Sequence, residues 1–198
     1  KFHKNYLRNK YKIKKKFIIG FLGRIHFIKG LDFLVKAFEV SLKSNKDLRL
    51  AIIGSDDGYL DQLKELIKKL NLQDKITFAG FLSGDDKNNA LFDCDLVVQC
   101  SRLEQGAWAP IEAVLTGTPI LVTDGTGSAE DVKRLNAGEV IKFGDANAFN
   151  KVVKEMYKNP KSFIKKTKVA ASFIKNNLSF NTRINEYKKI YETCISKK

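Results

Sequence analysis

Phe17-Ile18-Ile19-Gly20-Phe21-Leu22, closed by Gly23-Arg24, is six apolar residues in a row ended by a glycine. A run of that length without polar alternation is what a strand buried on both faces requires, and both faces are covered in parallel sheets. Leu31, Leu34, Val35, Phe38 and Leu42 follow at helical spacing. The alternation then repeats. Leu48–Ile53 reads as a strand ending at Gly54, Leu60–Leu70 as a helix, Ile76–Phe78 as a short strand and Asp85–Phe92 as a short helix. Leu96–Val98, Ile120–Val122 and Val140–Ile141 read as strands, and Pro110–Thr116, Ser128–Leu135 and Ala146–Tyr157 as helices. Strand–helix alternation at this pace predicts an α/β fold, a doubly wound, mostly parallel sheet built from right-handed βαβ units. After Asn159-Pro160 only helices are predicted, with Phe163, Val169, Phe173 and Ile174 as a buried stripe and Thr182–Ile195 as the last helix.

The expected organisation is a basic lead-in segment (1–16), a Rossmann-like α/β domain (17–159) and C-terminal helices (160–198). The chain of 198 residues opens on Lys1-Phe2 without an initiator methionine, as a piece of a longer protein would. Its formal charge of +14 is concentrated at the ends. Residues 1–16 hold eight Lys/Arg and no acid, and residues 151–198 hold thirteen against three Glu. Residues 17–150, with fifteen basic and nineteen acidic side chains, carry a net of −4. Such ends fit a solvated surface or an anionic membrane better than a reader of nucleic acid. An acidic body without strands that combine aromatic and basic residues argues against single-strand binding. No apolar run approaches the ~20 residues that span a bilayer. Cys94, Cys100 and Cys194 form no CxxC pair, which fits a reducing compartment. The expected location is the cytoplasm, with a peripheral membrane association.

In a doubly wound sheet, ligands bind beyond the carboxyl ends of the strands. The first such loop is Gly23-Arg24-Ile25-His26-Phe27-Ile28-Lys29-Gly30. An arginine fork and a lysine point charge on one loop suit a diphosphate, and surface cations are the bland alternative. The loop is neither GxGxxG nor a Walker sequence, which removes support from ordinary NAD and ATP sites. His26 reads as a loop residue, and with only His3 elsewhere no histidine metal cluster is expected. Asp56-Asp57 between Gly54 and Gly58 reads as a helix cap in preference to a magnesium site. The richest stretch is Glu104-Gln105-Gly106-Ala107-Trp108-Ala109-Pro110-Ile111-Glu112, followed by Gly117-Thr118-Pro119. Two carboxylates in an apolar passage are costly to bury unpaired, and ligand hydroxyls are suitable partners. A helix N-terminus between them offers free N–H groups to an anion. The helix macrodipole alone would also favour Glu112, and glycoside hydrolysis is a rival use of two carboxylates.

Taken in order, these residues resemble the C-terminal, donor-binding domain of the family 4 retaining glycosyltransferases, the group 1 enzymes of GT-B fold. The family pattern Gly-Arg-(x4)-Lys-Gly is matched by Gly23-Arg24 and Lys29-Gly30, and Glu-(x7)-Glu by Glu104 and Glu112. Phe78-Ala79-Gly80-Phe81 is similar to the strand and loop beside the nucleotide base. Gly125-Thr126-Gly127-Ser128-Ala129-Glu130 is similar to the family's glycine turn, and Phe180, Tyr187 and Tyr191 to a final helix that crosses to the other domain. The loop Gln105-Gly106-Ala107-Trp108 departs from the usual Gly-Phe-Gly.

The resemblance implies a Rossmann-like half of a GT-B enzyme that binds a nucleoside diphosphate sugar, UDP or GDP, without cofactor or metal. It implies catalytic roles for Arg24, Lys29 and Glu104. Donor binding would fall to Gly23, Arg24, Lys29, Gly80, Phe81, Glu104, Gly106, Ala107, Trp108 and Glu112, with Glu112 on the ribose and Glu104 on the sugar. The glycan or lipid-linked acceptor would be bound mainly by an N-terminal domain that this chain lacks, so the chain alone would be inactive. Two other classes stand beside this one: a noncatalytic sugar-nucleotide-binding scaffold, and, least favoured, a nucleic-acid-binding domain.

Overall fold

The computed structural model describes residues 2–13 and 16–196. Parts of the predicted end segments, Lys1, Lys14, Lys15, Lys197 and Lys198, lie outside the described residues. A six-stranded parallel sheet runs through the described residues in the order β3-β2-β1-β4-β5-β6. Its strands are β1 (Phe17–Leu22), β2 (Leu48–Ile53), β3 (Ile76–Gly80), β4 (Leu96–Gln99), β5 (Ile120–Thr123) and β6 (Gly138–Ile141). The helices are α1 (Tyr6–Lys10), α2 (Leu31–Ser44), α3 (Leu60–Lys69), α4 (Gly84–Asp93), α5 (Trp108–Thr116), α6 (Ser128–Arg134), α7 (Ala146–Lys158), α8 (Pro160–Asn177) and α9 (Phe180–Ile195). The chain winds outward from β1 to β3, then returns to β1's other edge with β4. The reversal opens a crevice at the carboxyl ends of β1 and β4, where ligands bind in sheets of this topology.

The continuous apolar strands serve two cores at once, because successive side chains point to opposite faces. Phe17, Ile19 and Phe21 of β1, with Leu48, Leu50 and Ile52 of β2, pack beneath α2, α3 and α7. Ile18, Ala51, Ile53 and Val97 pack against α1, α4, α5, α6 and α8 on the other face. Fully buried side chains such as Phe21, Phe38 and Ile52 each contribute about 1.5–3 kcal/mol through apolar surface removed from water. Gly20, mid-strand, is required by packing: a Cβ there would lie 2.5 Å from the Cys94 sulfur.

The basic lead-in is fastened to the end of α4. Asp93 accepts the N–H groups of Asn5 at 3.0 Å and Arg8 at 2.9 Å, and the Arg8 guanidinium pairs with Asp93 and with Asp95. Burial pushes the Asp95 carboxyl up, against the N–H of Ile18 and the charge of Arg8 that favour its ionised form. Burial also pushes the Cys94 and Cys100 thiols up, so both behave as small core residues.

The predicted stripe of α8 is corrected. Phe163 and Ile174 are buried, but Val169 is 65% and Phe173 45% exposed. The buried face runs through Phe163, Thr167, Ala170, Ala171 and Ile174. Small residues let α8 approach α5 closely, so they set its phase in place of the bulkier pair.

Candidate functional site

The first βα loop is held open by backbone bonds to the second. Gly23 donates to Ile53 O at 2.9 Å and Ile25 to Ser55 O at 2.8 Å. Gly54 fits beneath it because a Cβ there would lie 1.9 Å from Gly23 O. Arg24 then projects outward, 64% exposed, with its guanidinium 2.6 Å from Asp57. Asp56 is the capping residue: its Oδ1 accepts the N–H groups of Gly58, Tyr59 and Leu60. These bonds hold its carboxyl low against a desolvation that would raise it. His26 caps the 3-10 turn Phe27–Lys29, accepting Ile28 N–H on Nδ1 at 3.2 Å.

That turn delivers Lys29 to Glu104, 75 positions later in the chain, at 2.5 Å. The second carboxylate oxygen of Glu104 accepts from Gln99 Nε2 at 2.9 Å and Ser101 Oγ at 2.6 Å. Gln99 and Ser101 are buried and Glu104 mostly so. Each oxygen is therefore occupied, and the carboxylate is fixed in one orientation. Arg102 welds the two loops from outside. Its N–H donates to Ile28 O at 2.8 Å, its guanidinium to Phe27 O and Asp32 at 2.6 Å each, and it stacks on Phe27. The glycine turn closes the far side. Gly127 N–H donates to Glu104 O at 2.8 Å, and a Cβ on Gly127 would lie 1.8 Å from Gln105 O.

α5 begins at Trp108, two residues before the predicted start, which puts Glu112 fifth in the helix and beyond its first turn. The macrodipole acts mainly within that turn, so it does not account for Glu112. Glu112 pairs with Lys87 of α4 at 2.6 Å. Both line a cavity of about 300 Å³ with Gly23, Arg24, Ser55 and Phe81, whose ring is 74% exposed. Gly80, in a left-handed conformation at φ 69°, turns the chain from β3 to Phe81, and its carbonyl accepts Gly54 N–H at 2.8 Å.

The predicted site residues thus fall into three groups. Gly23, Arg24, Phe81 and Glu112 line one cavity, with Gly80 beside it in sequence. Lys29 and Glu104 form an ion pair between the β1 and β4 loops. Gly106, Ala107 and Trp108 line a different, apolar cavity of about 250 Å³ with Pro110, Ile111 and Val114. The Trp108 side chain is 78% exposed. Lys87, Gln99 and Ser101, which contact Glu112 and Glu104, were not singled out from the sequence. The available signal was Gln99 itself, a polar residue ending an apolar strand at the edge where ligands bind. Among the described residues, no group of three His, Cys, Asp or Glu is placed to hold a metal ion. No helix there is long and apolar enough to cross a membrane.

The three cations of the predicted and adjoining site are each paired: Arg24 with Asp57, Lys29 with Glu104, Lys87 with Glu112. An exposed pair such as Arg24–Asp57 is worth only about 0–1 kcal/mol, so a doubly charged phosphate ester can recruit Arg24 at little expense.

Comparison with known proteins gives a consistent answer. The chain is 28% identical over 200 residues to a putative glycosyltransferase of Bacillus subtilis, YtcC, covering 96% of this chain and 49% of that one. It is 33% identical over 124 residues to the mannosylfructose-phosphate synthase of Agrobacterium fabrum, covering 59% of this chain and 27% of that one. The chain thus spans half or less of these relatives. Anabaena HepE, solved with UDP, superposes with a TM-score of 0.82 at 21% identity, covering 97% of this chain and 52% of its own. Sucrose-phosphate synthase of Thermosynechococcus elongatus superposes with a TM-score of 0.83 at 19% identity, covering 100% of this chain and 50% of its own. Residues 3–179 match the family described as glycosyl transferases group 1, and the chain belongs to that family, as one Rossmann-like half of the GT-B fold.

Proposed function

We propose that this chain is the donor-binding half of a retaining glycosyltransferase, holding a nucleoside diphosphate sugar for transfer to an acceptor hydroxyl. The observation that carries the reading is the cavity at the carboxyl edge of the sheet, lined by Arg24 and Glu112, with the Lys29–Glu104 pair on the adjoining loops. Arg24 and Lys29 supply fixed positive charge where the diphosphate leaving group gains negative charge, the form of catalysis in which preorganised dipoles and ions lower the barrier. Glu112 accepts ribose hydroxyls, and Glu104 contacts the transferred sugar. HepE, solved with UDP and with UDP-glucose, supports a uridine donor by likeness of fold, and GDP is the alternative. The reading invokes no metal and no cofactor. The acceptor and the rest of the cleft belong to an N-terminal domain, which agrees with a chain that spans half of its relatives.

Calorimetry of the full-length protein with UDP, GDP and ADP tests the reading, together with sugar release from the corresponding donors. Binding of a nucleoside diphosphate and release of its sugar are expected. Absence of both would falsify the proposal. Binding without release would favour a noncatalytic sugar-nucleotide module, a reading motivated by the unusual Gln105–Trp108 loop. The basic ends further suggest a peripheral place on anionic membrane. Co-sedimentation with anionic but not neutral vesicles is expected, and equal partitioning would remove the electrostatic argument.

A further inference from the structure

Lys87 has a place in this site that the family motifs do not assign. It is the fourth residue of α4, whose first turn follows the exposed Phe81 and lines the same cavity as Arg24. Its Nζ stands 2.6 Å from Glu112 Oε1, and both side chains are partly accessible, at 25% and 33%. Among the described residues lining the cavity, Glu112 supplies the carboxylate and Arg24 and Lys87 the cations. The ion pair leaves Glu112 Oε2 without a protein partner in the described structure. An ammonium only donates hydrogen bonds and a carboxylate only accepts them. Held side by side, the two present one acceptor and one donor to the same space. A vicinal diol is the complement, because each hydroxyl both donates and accepts. One hydroxyl donates to Glu112 Oε2 while its neighbour accepts from Lys87 Nζ. The ammonium keeps its contact to Oε1 and fixes the carboxylate's orientation at the same time.

We propose that Lys87 is a specificity-determining residue that reads the ribose diol of the donor jointly with Glu112. The inference rests on the donor-binding reading above, and it goes further by assigning the discrimination between ribose and deoxyribose to a lysine of α4. The groups facing Lys87 are few. Glu112 comes from α5 and Arg24 from the first loop. A lysine that served only to offset Glu112's charge would act on any ligand with this diphosphate. One that touches the diol acts on ligands that possess it.

The test is calorimetry on the full-length protein with UDP, 2′-deoxy-UDP and 3′-deoxy-UDP, run in parallel with the guanosine series. The variants are Lys87→Met and Lys87→Arg, with thermal melts to confirm that each is folded. In the unaltered protein the ribonucleotide should bind about tenfold or more better than either deoxy form, the scale of one hydrogen bond to a charged group. Lys87→Met should weaken the ribonucleotide by a similar factor and leave nearly unchanged the one deoxy form that lacks the hydroxyl Lys87 contacts, so that the ratio for that form collapses while the other deoxy form weakens in parallel with the ribonucleotide. Lys87→Arg, which keeps a charged donor, should restore part of the collapsed ratio. Equal weakening of all three nucleotides by Lys87→Met would overturn the proposal, as would a ratio unchanged for both deoxy forms. If the unaltered protein bound none of these nucleotides, the donor-binding reading itself would fall. That result is distinct from tight binding without ribose discrimination, which would overturn only the role of Lys87.

Discussion

A Cβ built on Gly30 would fall 2.0 Å from the carbonyl oxygen of Cys100. Gly30 lies immediately after Lys29, and Cys100 is four residues before Glu104, so the absence of a side chain lets the two halves of the Lys29–Glu104 pair meet. Gly30 is also left-handed, at φ 67°, which costs other L residues about 1–2 kcal/mol. Gly30→Ala should therefore lower stability by more than ~2 kcal/mol, since backbone must move as well. A urea midpoint equal to that of the unaltered protein would show that the two loops are not in contact as described.

Gln99 and Ser101 share one oxygen of Glu104. Gln99→Leu keeps the volume of the side chain but removes a donor from a buried network. The expected result is a fall in kcat for sugar transfer of about tenfold, equivalent to ~1.4 kcal/mol of transition-state stabilisation, with donor KM little changed. A change confined to KM would assign Gln99 to ground-state binding instead.

Arg24 is exposed and pairs with Asp57 at the surface, so its removal should not disturb the fold. Arg24→Ala should weaken nucleoside diphosphate binding by about ten- to a hundredfold, the scale of a charge-assisted contact. Its melting temperature should stay within a degree or two. Arg24→Lys should recover only part, because an ammonium cannot reproduce the planar fork. Full recovery by lysine would indicate charge alone. Glu112→Ala should weaken binding as well.

Asp32 titrates in a way that couples this loop region to acid stability. Burial opposes its ionisation, but the hydrogen bond and charge of Arg102 outweigh that and hold its carboxyl below the usual range. A carboxyl whose pKa is lower folded than unfolded contributes stability above its unfolded pKa, about 3.9, and loses it as pH falls through the folded value. Asp32's contribution to stability should therefore be lost as the pH falls below about 4. Arg102→Leu should flatten that drop and lower stability at neutral pH. Identical acid profiles for the two proteins would rule Asp32 out as a contributor.

The sheet was legible because each strand is apolar on both faces, a pattern with few alternative interpretations. Boundaries erred where a strand continued through residues chosen for its end. β3 runs on through Ala79 and Gly80, where its register on β2 shifts, and α5 starts at Trp108 ahead of Pro110. In α8 the buried face was misjudged because Ala170 and Ala171, not Val169 and Phe173, meet the body. The family motifs single out Arg24, Lys29, Glu104 and Glu112, since a motif records positions within one segment. Lys87 opposite Glu112 depends on the relative rotation of α4 and α5, and Gln99 beneath Glu104 on how the β4 loop folds back. The first relation leaves no trace in local sequence, and the second only the polar residue that ends an apolar strand.

The three ligand-side loops are riveted in series: Ile28 to Arg102, then Glu104 to Gly127, with bare glycines where the segments touch. An inserted or deleted residue in any one of them would shift its neighbours too. Under the donor-binding proposal, efforts to redirect sugar choice should accordingly leave loop lengths alone and vary side chains at Gln105–Trp108. There Gly106 has open space around it and Trp108 faces solvent, so new shapes can be tried without loosening the fastened loops behind them.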